Sequence, residues 1–172
     1  MSDWAVPEDM EGAIAYLLWL MAHDRKSTPL KAIQGRIWEQ GFKSGELRGE
    51  VFDDVPEALK RWTEEGKRVF IFSSGSVLAQ KLIFRGSSAG DLSHFISGYF
   101  DTETGPKRKA ESYSKIASEI GVQTGRVLFA SDVPEELAAA REGAMKTVLL
   151  SRPGNKPVGP HDFEVASDFR KL

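Results

Sequence analysis

The sequence predicts an α/β fold in which a parallel sheet carries helices on both of its faces. From residue 68 onward, short apolar runs rich in Val, Ile and Phe alternate with segments of helical spacing. This alternation is typical of parallel strands joined by crossover helices. We expect strands over residues 68–72, 96–100, 126–130 and 147–150, and helices over residues 77–84, 108–120 and 134–141. The first and third of these strands are apolar enough to be buried on both faces.

The chain divides into a helical and irregular region, residues 1–50, and the α/β region, residues 51–172. A nearly all-apolar helix is predicted over residues 10–23, and its composition predicts that other elements cover most of its sides. A second helix is predicted to begin at Thr28-Pro29, with Thr28 as its cap, and to end at Gly41.

The α/β region opens with a third predicted helix. Asp54 and Glu57 have the spacing of a capping box, in which Asp54 is the helix cap. At the other end of the chain, residues 152–160 contain three prolines and two glycines, which predicts an extended loop.

Composition narrows the classes of function. The formal net charge of -2 gives no reason to expect nucleic acid or an anionic membrane as a partner. The chain has no cysteine, which excludes disulfides, thiolate catalysis and cysteine-bound zinc and fits a reducing cytoplasm. The longest apolar run, residues 13–22, is too short to span a bilayer and follows acidic residues, so we expect neither a membrane span nor a signal peptide.

Polar residues follow two of the predicted strands. Ser73 and Ser74 come directly after residues 68–72, and Asp132 comes after the strand that ends at residue 130. Ligands bind beyond the carboxyl ends of parallel strands, and the start of the next helix favours an anion. The serines therefore predict an anion site, and the carboxylate predicts a ligand for a divalent cation such as Mg²⁺.

Each of these residues also has a simpler structural interpretation. The serines fit a strand-to-helix turn that is capped by Ser76, and Asp132 fits a helix cap with Glu135 as its capping-box partner. Lys107 precedes the helix predicted at 108–120, where the helix dipole disfavours a cation unless an anion lies beside it. Taken alone, Lys107 is better interpreted as a solvated lysine, and only the three features together favour a phosphate site.

Several segments resemble the enolase-phosphatase of methionine salvage (acireductone synthase), a branch of the haloacid dehalogenase superfamily. In the α/β region they are Phe70-Ile-Phe-Ser-Ser-Gly-Ser-Val77, Ala79-Gln-Lys-Leu82, Gly98-Tyr-Phe-Asp-Thr102, Gly105-Pro-Lys107, Glu111-Ser-Tyr113 and Leu128-Phe-Ala-Ser-Asp-Val133. Upstream, Asp24-Arg-Lys-Ser-Thr-Pro-Leu-Lys31 and Gln34-Gly-Arg-Ile-Trp38 are similar to the helical cap of that family. The resemblance implies a Rossmann-like haloacid dehalogenase core with a partial helical cap.

The resemblance also implies a reaction and a set of roles. The family converts 2,3-diketo-5-methylthiopentyl 1-phosphate to acireductone by enolisation followed by loss of phosphate. By motif, Ser73 and Ser74 would bind the phosphate region of the substrate, and Lys107 would bind substrate and offset phosphate charge in the transition state. Asp132 would ligate Mg²⁺. The resemblance further implies a cytoplasmic monomer whose partner is a small phosphorylated substrate, with neither nucleic acid nor membrane.

One family motif, Asp-x-Glu-Gly-Thr, is absent from the printed sequence. In the family its Asp is the nucleophile at the end of the first, central strand, so we expect a truncated chain that lacks this strand and is impaired as a phosphatase by itself. Asp9-Met-Glu-Gly12 matches the first four positions of that motif. It follows only a short apolar run that Pro7 interrupts, however, so we interpret Asp9 and Glu11 as helix-start residues. The alternative function is a non-catalytic remnant that binds a phosphorylated ligand or a protein partner.

Overall fold

The computed structural model describes residues 9–23, 25 and 27–172. The chain forms two compact units, Met1–Leu47 and Arg48–Leu172. The apolar run at residues 5–8, and Asp24 and Lys26 of the cap-like segment, lie outside the described residues. No helix in the described part of the chain is both long and apolar enough to cross a membrane.

The first unit contains helices α1 (Met10–Ala22) and α2 (Thr28–Ser44). Helix α2 is capped by Ser27, whose Oγ accepts a hydrogen bond from the Leu30 N–H, so the prediction that Thr28 is the cap was wrong by one residue. The helix also continues past Gly41 to Ser44, and it ends at Gly45, whose φ of 78° is the left-handed conformation that glycine adopts readily.

Helix α1 is more exposed than its composition predicts. Its side chains Met10, Ile14, Leu18 and Met21 are all more than half exposed, and only Leu20 is buried. The prediction that most of its sides are covered was therefore wrong for the described residues. A unit built from two helices can bury only one stripe of each helix, so an apolar helix keeps exposed faces there.

The second unit alternates helices and strands as predicted. Its elements are α3 (Asp54–Glu64), β1 (Val69–Phe72), α4 (Val77–Arg85), β2 (Ile96–Phe100), α5 (Ala110–Glu119), β3 (Leu128–Ser131), α6 (Pro134–Glu142), β4 (Lys146–Leu150) and β5 (Val165–Ala166). The predicted strands and helices of this region are confirmed, with ends that shift by one or two residues. Strand β5 was not predicted, because two residues are too few to show an alternating pattern.

The strands form two parallel sheets rather than one. Strand β1 pairs with β2, and strand β4 pairs with β3 on one side and with β5 on the other. Among the described residues, β1 and β3 each have a hydrogen-bonded neighbour on one edge only. All four β1 residues are half-buried and Leu128 of β3 is 49% exposed, so the prediction that both strands are buried on both faces was wrong.

The core of the second unit connects the two sheets through helix α5. Tyr113 of α5 is fully buried, and its ring centroid lies 5.8 Å from that of Phe72 in β1 and 4.8 Å from that of Phe129 in β3. Ile116, Ala117, Ala139, Ala140 and Met145 are buried around it. One aromatic ring thus contacts a strand from each sheet, and hydrophobic packing holds the sheets in one unit.

A buried ion pair anchors the end of the chain. The Asp54 carboxylate accepts hydrogen bonds of 2.7 Å from both terminal nitrogens of Arg152 and another of 2.7 Å from the Phe169 N–H. The predicted capping box was therefore wrong, since the carboxylate of Asp54 is engaged by residues far along the chain. The cap of α3 is Asp53, which makes no side-chain capping bond.

Candidate active site

Lys107 lies between the carboxyl ends of β1 and β3. Its Nζ is 2.6 Å from Oε2 of Glu136 and 5.8 Å from the ring centroid of Phe72, the last residue of β1. Helix α5 begins only at Ala110, so Lys107 belongs to the preceding turn rather than to the helix start. A carboxylate, rather than the helix dipole, sets the electrostatic environment of this ammonium group.

Glu136 is a site residue that the sequence interpretation missed. It is 9% exposed, and its Oε2 accepts a 2.9 Å hydrogen bond from the hydroxyl of Ser131, the last residue of β3. The sequence interpretation considered Glu135 instead, as a capping partner. Helical spacing could have identified Glu136, because it lies three and four residues before the buried Ala139 and Ala140 and therefore on the inward face of α6.

Tyr113 positions the backbone of Lys107. Its phenol donates a 2.6 Å hydrogen bond to the Lys107 carbonyl oxygen. Burial raises the pKa of the Tyr113 phenol well above its ordinary value, and the nearby Glu136 charge raises it further. The phenol therefore remains a protonated donor at neutral pH, and the core residue that joins the two sheets also fixes the turn that carries the lysine.

The turn after β1 holds the two predicted serines. The Ser73 N–H donates to the Phe100 carbonyl, which places Ser73 beside the end of β2. The Ser73 hydroxyl accepts a 3.1 Å hydrogen bond from the Gly75 N–H, while the side chain of Ser74 is exposed. Ser76 caps α4 through the Ala79 N–H, so the capped-turn interpretation is confirmed and is compatible with a ligand at Ser74.

Two neighbours of this turn were not identified from the sequence. The Asp101 carboxylate accepts a 3.2 Å hydrogen bond from the Val77 N–H at the start of α4. An anion that approaches this helix end therefore meets a donor that is already engaged by a carboxylate. Gln80 is 4% exposed, and its amide nitrogen donates 2.9 Å hydrogen bonds to the carbonyls of Gly75 and Phe100, which braces the turn against β2.

Asp132 follows β3 and has an exposed side chain. The cap of helix α6 is Val133 and makes no side-chain capping bond, so the interpretation of Asp132 as a helix cap was wrong. Its Oδ2 instead accepts a 2.9 Å hydrogen bond from Nδ2 of Asn155. Asp132 is thus a carboxylate at a strand end with one oxygen oriented by a neighbouring amide.

Among the described residues, Asp132 is the metal ligand that the sequence predicts. Among them, no three His, Cys, Asp or Glu side chains lie close enough to enclose a metal ion. An exposed carboxylate such as Asp132 nevertheless suits Mg²⁺, which keeps several waters and needs only one or two protein carboxylates beside a substrate phosphate.

Asp9 caps α1 by accepting a hydrogen bond from the Gly12 N–H, and Glu11 lies in the first turn of the same helix, as the helix-start interpretation predicted.

The structure thus brings the predicted residues of the second unit to one edge of its sheets. Ser73 and Asp132 each follow the last residue of a strand, one in each sheet. Lys107 contacts Phe72 at the first strand end and, through Glu136, reaches Ser131 at the second. Hydroxyls, an ammonium group and a carboxylate in this arrangement are suited to a phosphate ester and a divalent cation.

Comparison with known proteins identifies the family. A model of the haloacid dehalogenase-like hydrolases matches residues 4–143. The chain is 51% identical, over all of its 172 residues, to Enolase-phosphatase E1 of Synechococcus elongatus, and it spans 72% of that protein. The chain belongs to the enolase-phosphatases of the haloacid dehalogenase-like family.

Solved structures agree with this assignment. The chain superposes on the UTR4 protein of Saccharomyces cerevisiae with a TM-score of 0.88 and 40% identity, covering 96% of this chain and 77% of that one. A haloacid dehalogenase family enzyme of Bacteroides thetaiotaomicron, solved with magnesium and inorganic phosphate, has a TM-score of 0.52 and 12% identity, and covers 59% of this chain and 54% of that one. At that identity the second match shows the fold alone, which is the α/β haloacid dehalogenase fold that the sequence predicts.

Proposed function

We propose that this enolase-phosphatase family member acts on 2,3-diketo-5-methylthiopentyl 1-phosphate and forms acireductone in methionine salvage. The observation that carries the proposal is the Lys107–Glu136 pair, which holds an ammonium group between the two strand ends that bear Ser73 and Asp132. The identity to curated enzymes named Enolase-phosphatase E1 supports the same reaction and disfavours the non-catalytic alternative.

The residues have distinct roles in this proposal. Ser73 and Ser74 donate hydroxyl hydrogen bonds to the phosphate region of the substrate. Lys107 places its positive charge against the phosphate oxygens, where a preorganised cation lowers the energy of a transition state that concentrates negative charge. Asp132 would hold Mg²⁺, which neutralises phosphate charge when it is bound.

Glu136 orients the Lys107 side chain before substrate binds. A lysine side chain has many rotamers, and a 2.6 Å ion pair with a mostly buried carboxylate restricts them. The carboxylate is itself fixed by the hydroxyl of Ser131. The ammonium group keeps further donors for a phosphate, because it has three and the Glu136 contact uses one.

Family membership also supports a proposal for the setting of the reaction. We infer a small phosphorylated substrate as the partner, Mg²⁺ as the cofactor, and a monomer in the cytoplasm as the working form. The absence of cysteine fits a reducing compartment. We also propose that residues 1–50 form part of the helical cap and that residues 51–172 form the α/β phosphatase core.

A binding measurement tests the site without requiring turnover. Inorganic phosphate is titrated into the ¹⁵N-labelled chain with Mg²⁺ present, and backbone amide shifts around Ser74 and Lys107 are followed. Lys107→Met is expected to weaken phosphate binding about tenfold, since a charge-assisted hydrogen bond of about 1.5 kcal/mol is lost. The matched control is Lys109→Met, an exposed lysine two residues further on, which should bind as the parent does.

A turnover measurement tests the assignment of Asp9 as a helix cap rather than a nucleophile. Because Asp9 caps α1, Asp9→Asn should leave the rate of phosphate release from p-nitrophenyl phosphate with Mg²⁺ unchanged. Robust release that Asp9→Asn abolishes would make Asp9 a nucleophile and contradict its assignment as a helix cap. Equal phosphate affinity in the Lys107→Met and Lys109→Met variants would contradict the proposed site itself.

A further inference from the structure

Asn155 links the candidate metal ligand to a rigid turn. Its Oδ1 accepts a 2.7 Å hydrogen bond from the Arg152 N–H, and its Nδ2 donates a 2.9 Å hydrogen bond to Oδ2 of Asp132. The orientation of the amide is determined by its neighbours, because the Arg152 N–H can only donate and a carboxylate can only accept. Both ends of the Asn155 side chain are thus used, one within the turn and one across to the site.

We propose that Asn155 is a positioning residue for Asp132, whose carboxylate it holds in one orientation so that the second oxygen is presented for Mg²⁺. The inference rests on the proposed role of Asp132 as a metal ligand. An exposed aspartate otherwise samples several side-chain rotamers, and a hydrogen bond to one of its oxygens selects among them. Ligating carboxylates in metal sites are commonly held in this way by a neighbouring side chain.

The turn that carries Asn155 is anchored on the protein interior. The Asn155 N–H donates back to the Arg152 carbonyl, so two hydrogen bonds close residues 152–155. The Arg152 side chain is 7% exposed and makes a bidentate pair with Asp54. Its guanidinium carbon lies 4.4 Å from the ring centroid of Phe52 and 4.7 Å from that of Phe169. The amide of Asn155 therefore projects from a fixed base.

A purely structural role would not require the contact with Asp132. The hydrogen bond from the Arg152 N–H to Oδ1 is sufficient to shape the turn, as in other Asn-stabilised turns. The Nδ2 bond instead joins residues that are 23 positions apart and ends on the carboxylate assigned to the metal. The two roles predict different results for metal affinity, which a turn residue alone would leave unchanged.

The test measures Mg²⁺ affinity directly. Mg²⁺ is titrated into the ¹⁵N-labelled full chain, and the amide shifts of residues 131–133 give the dissociation constant, which NMR measures even when it is millimolar. Asn155→Ala is expected to raise the dissociation constant about tenfold, at the lower end of the effect of losing a ligand-orienting partner. Asn155→Ser keeps a turn-forming hydroxyl but no amide and should show the same loss. Lys156→Ala, an exposed neighbour, should bind as the parent chain does.

Asp132→Asn separates this inference from the function on which it rests. If Asp132→Asn binds Mg²⁺ like the parent, Asp132 is not a ligand, and the proposed metal site fails together with the positioning role. If Asp132→Asn loses binding while Asn155→Ala and Asn155→Ser bind like the parent, only the positioning role fails. Identical titrations of all the chains, including titrations that do not saturate, overturn the inference. Weaker binding in both Asn155 variants with parental melting temperatures supports it.

Discussion

Replacing Asp54 with asparagine should destabilise the second unit far more than an equivalent change at the surface. Asp54 is 4% exposed, and its carboxylate accepts two 2.7 Å hydrogen bonds from the guanidinium group of Arg152. Asparagine keeps the size of the side chain but offers only one acceptor oxygen and no charge. The Arg152 side chain, which is 7% exposed, then carries a buried charge without its partner.

The pKa of Asp54 indicates the size of the effect. The hydrogen bonds from Arg152 are the main cause that lowers this pKa from 3.8 to about 2, and the Phe169 N–H contributes as well, while burial opposes them. Since one pKa unit corresponds to about 1.4 kcal/mol, the folded state gains about 2 kcal/mol from the ionised carboxylate at neutral pH. The unpaired Arg152 charge adds to the loss, so we expect Asp54→Asn to cost about 3–5 kcal/mol.

Urea denaturation followed by circular dichroism at pH 7 measures this cost. The control is Asp162→Asn, which breaks a second Asp–Arg pair whose side chains, Arg141 and Asp162, are 43% and 80% exposed. An exposed pair of this kind contributes at most about 1 kcal/mol. If both variants unfold at the same urea concentration, the buried pair is not a major source of stability and the reasoning is refuted.

The pH dependence gives a second check on the same pair. Because the folded-state pKa of Asp54 lies below the unfolded-state value, the stabilisation is complete well above pH 3.8 and is lost as the pH falls toward about 2. The difference in unfolding free energy between the parent and Asp54→Asn should therefore narrow over this window. A difference that stays constant from pH 7 to pH 2 would show that the charge of Asp54 plays no part.

Two further substitutions test a close backbone contact and a buried side-chain donor in the second unit. Gly49→Ala should cost about 1–3 kcal/mol, because the new Cβ would overlap the Ile83 carbonyl oxygen. Gly159→Ala has open space around it and should be neutral, and thermal melting compares the two variants. Gln80→Leu removes the donor shared by two carbonyls and should cost about 1–3 kcal/mol in urea denaturation. It should also weaken inorganic phosphate binding in the NMR titration, and unchanged binding would show that Gln80 does not brace the turn.

The secondary structure of the second unit could be predicted because local patterns determine it. The run at Val69–Phe72 is apolar, β-branched and aromatic, and Gly66 and the serines bound it, so its strand conformation and its ends can both be predicted from the sequence. Ser73, Lys107 and Asp132 could be singled out for a related reason, since parallel strands and crossover helices place strand ends at one edge. Their roles remain predictions until binding is measured.

The contacts that arrange the site could not be predicted, because they join distant segments. Asp54 looked like a helix cap since Glu57 stands at the matching position, and nothing local shows that Arg152, 98 residues later, competes for its carboxylate. Asn155 lies in a stretch whose prolines and glycines predict only a loop. The exposure of Leu128 and the half-burial of β1 depend on which strands lie beside them. A run of apolar residues does not show which strands those are.

The position of Lys107 shows why the site depends on the core rather than on sheet hydrogen bonds. Strands β1 and β3 belong to separate sheets in the described chain, so no shared ladder sets the distance between their ends. Tyr113 contacts Phe72 and Phe129 with its ring and holds the Lys107 carbonyl with its hydroxyl. A substitution such as Tyr113→Phe keeps the ring contacts and removes only the last of these. The loss of phosphate-binding free energy should therefore exceed the loss of unfolding free energy. A larger loss of unfolding free energy would show that the phenol stabilises the fold and does not position Lys107.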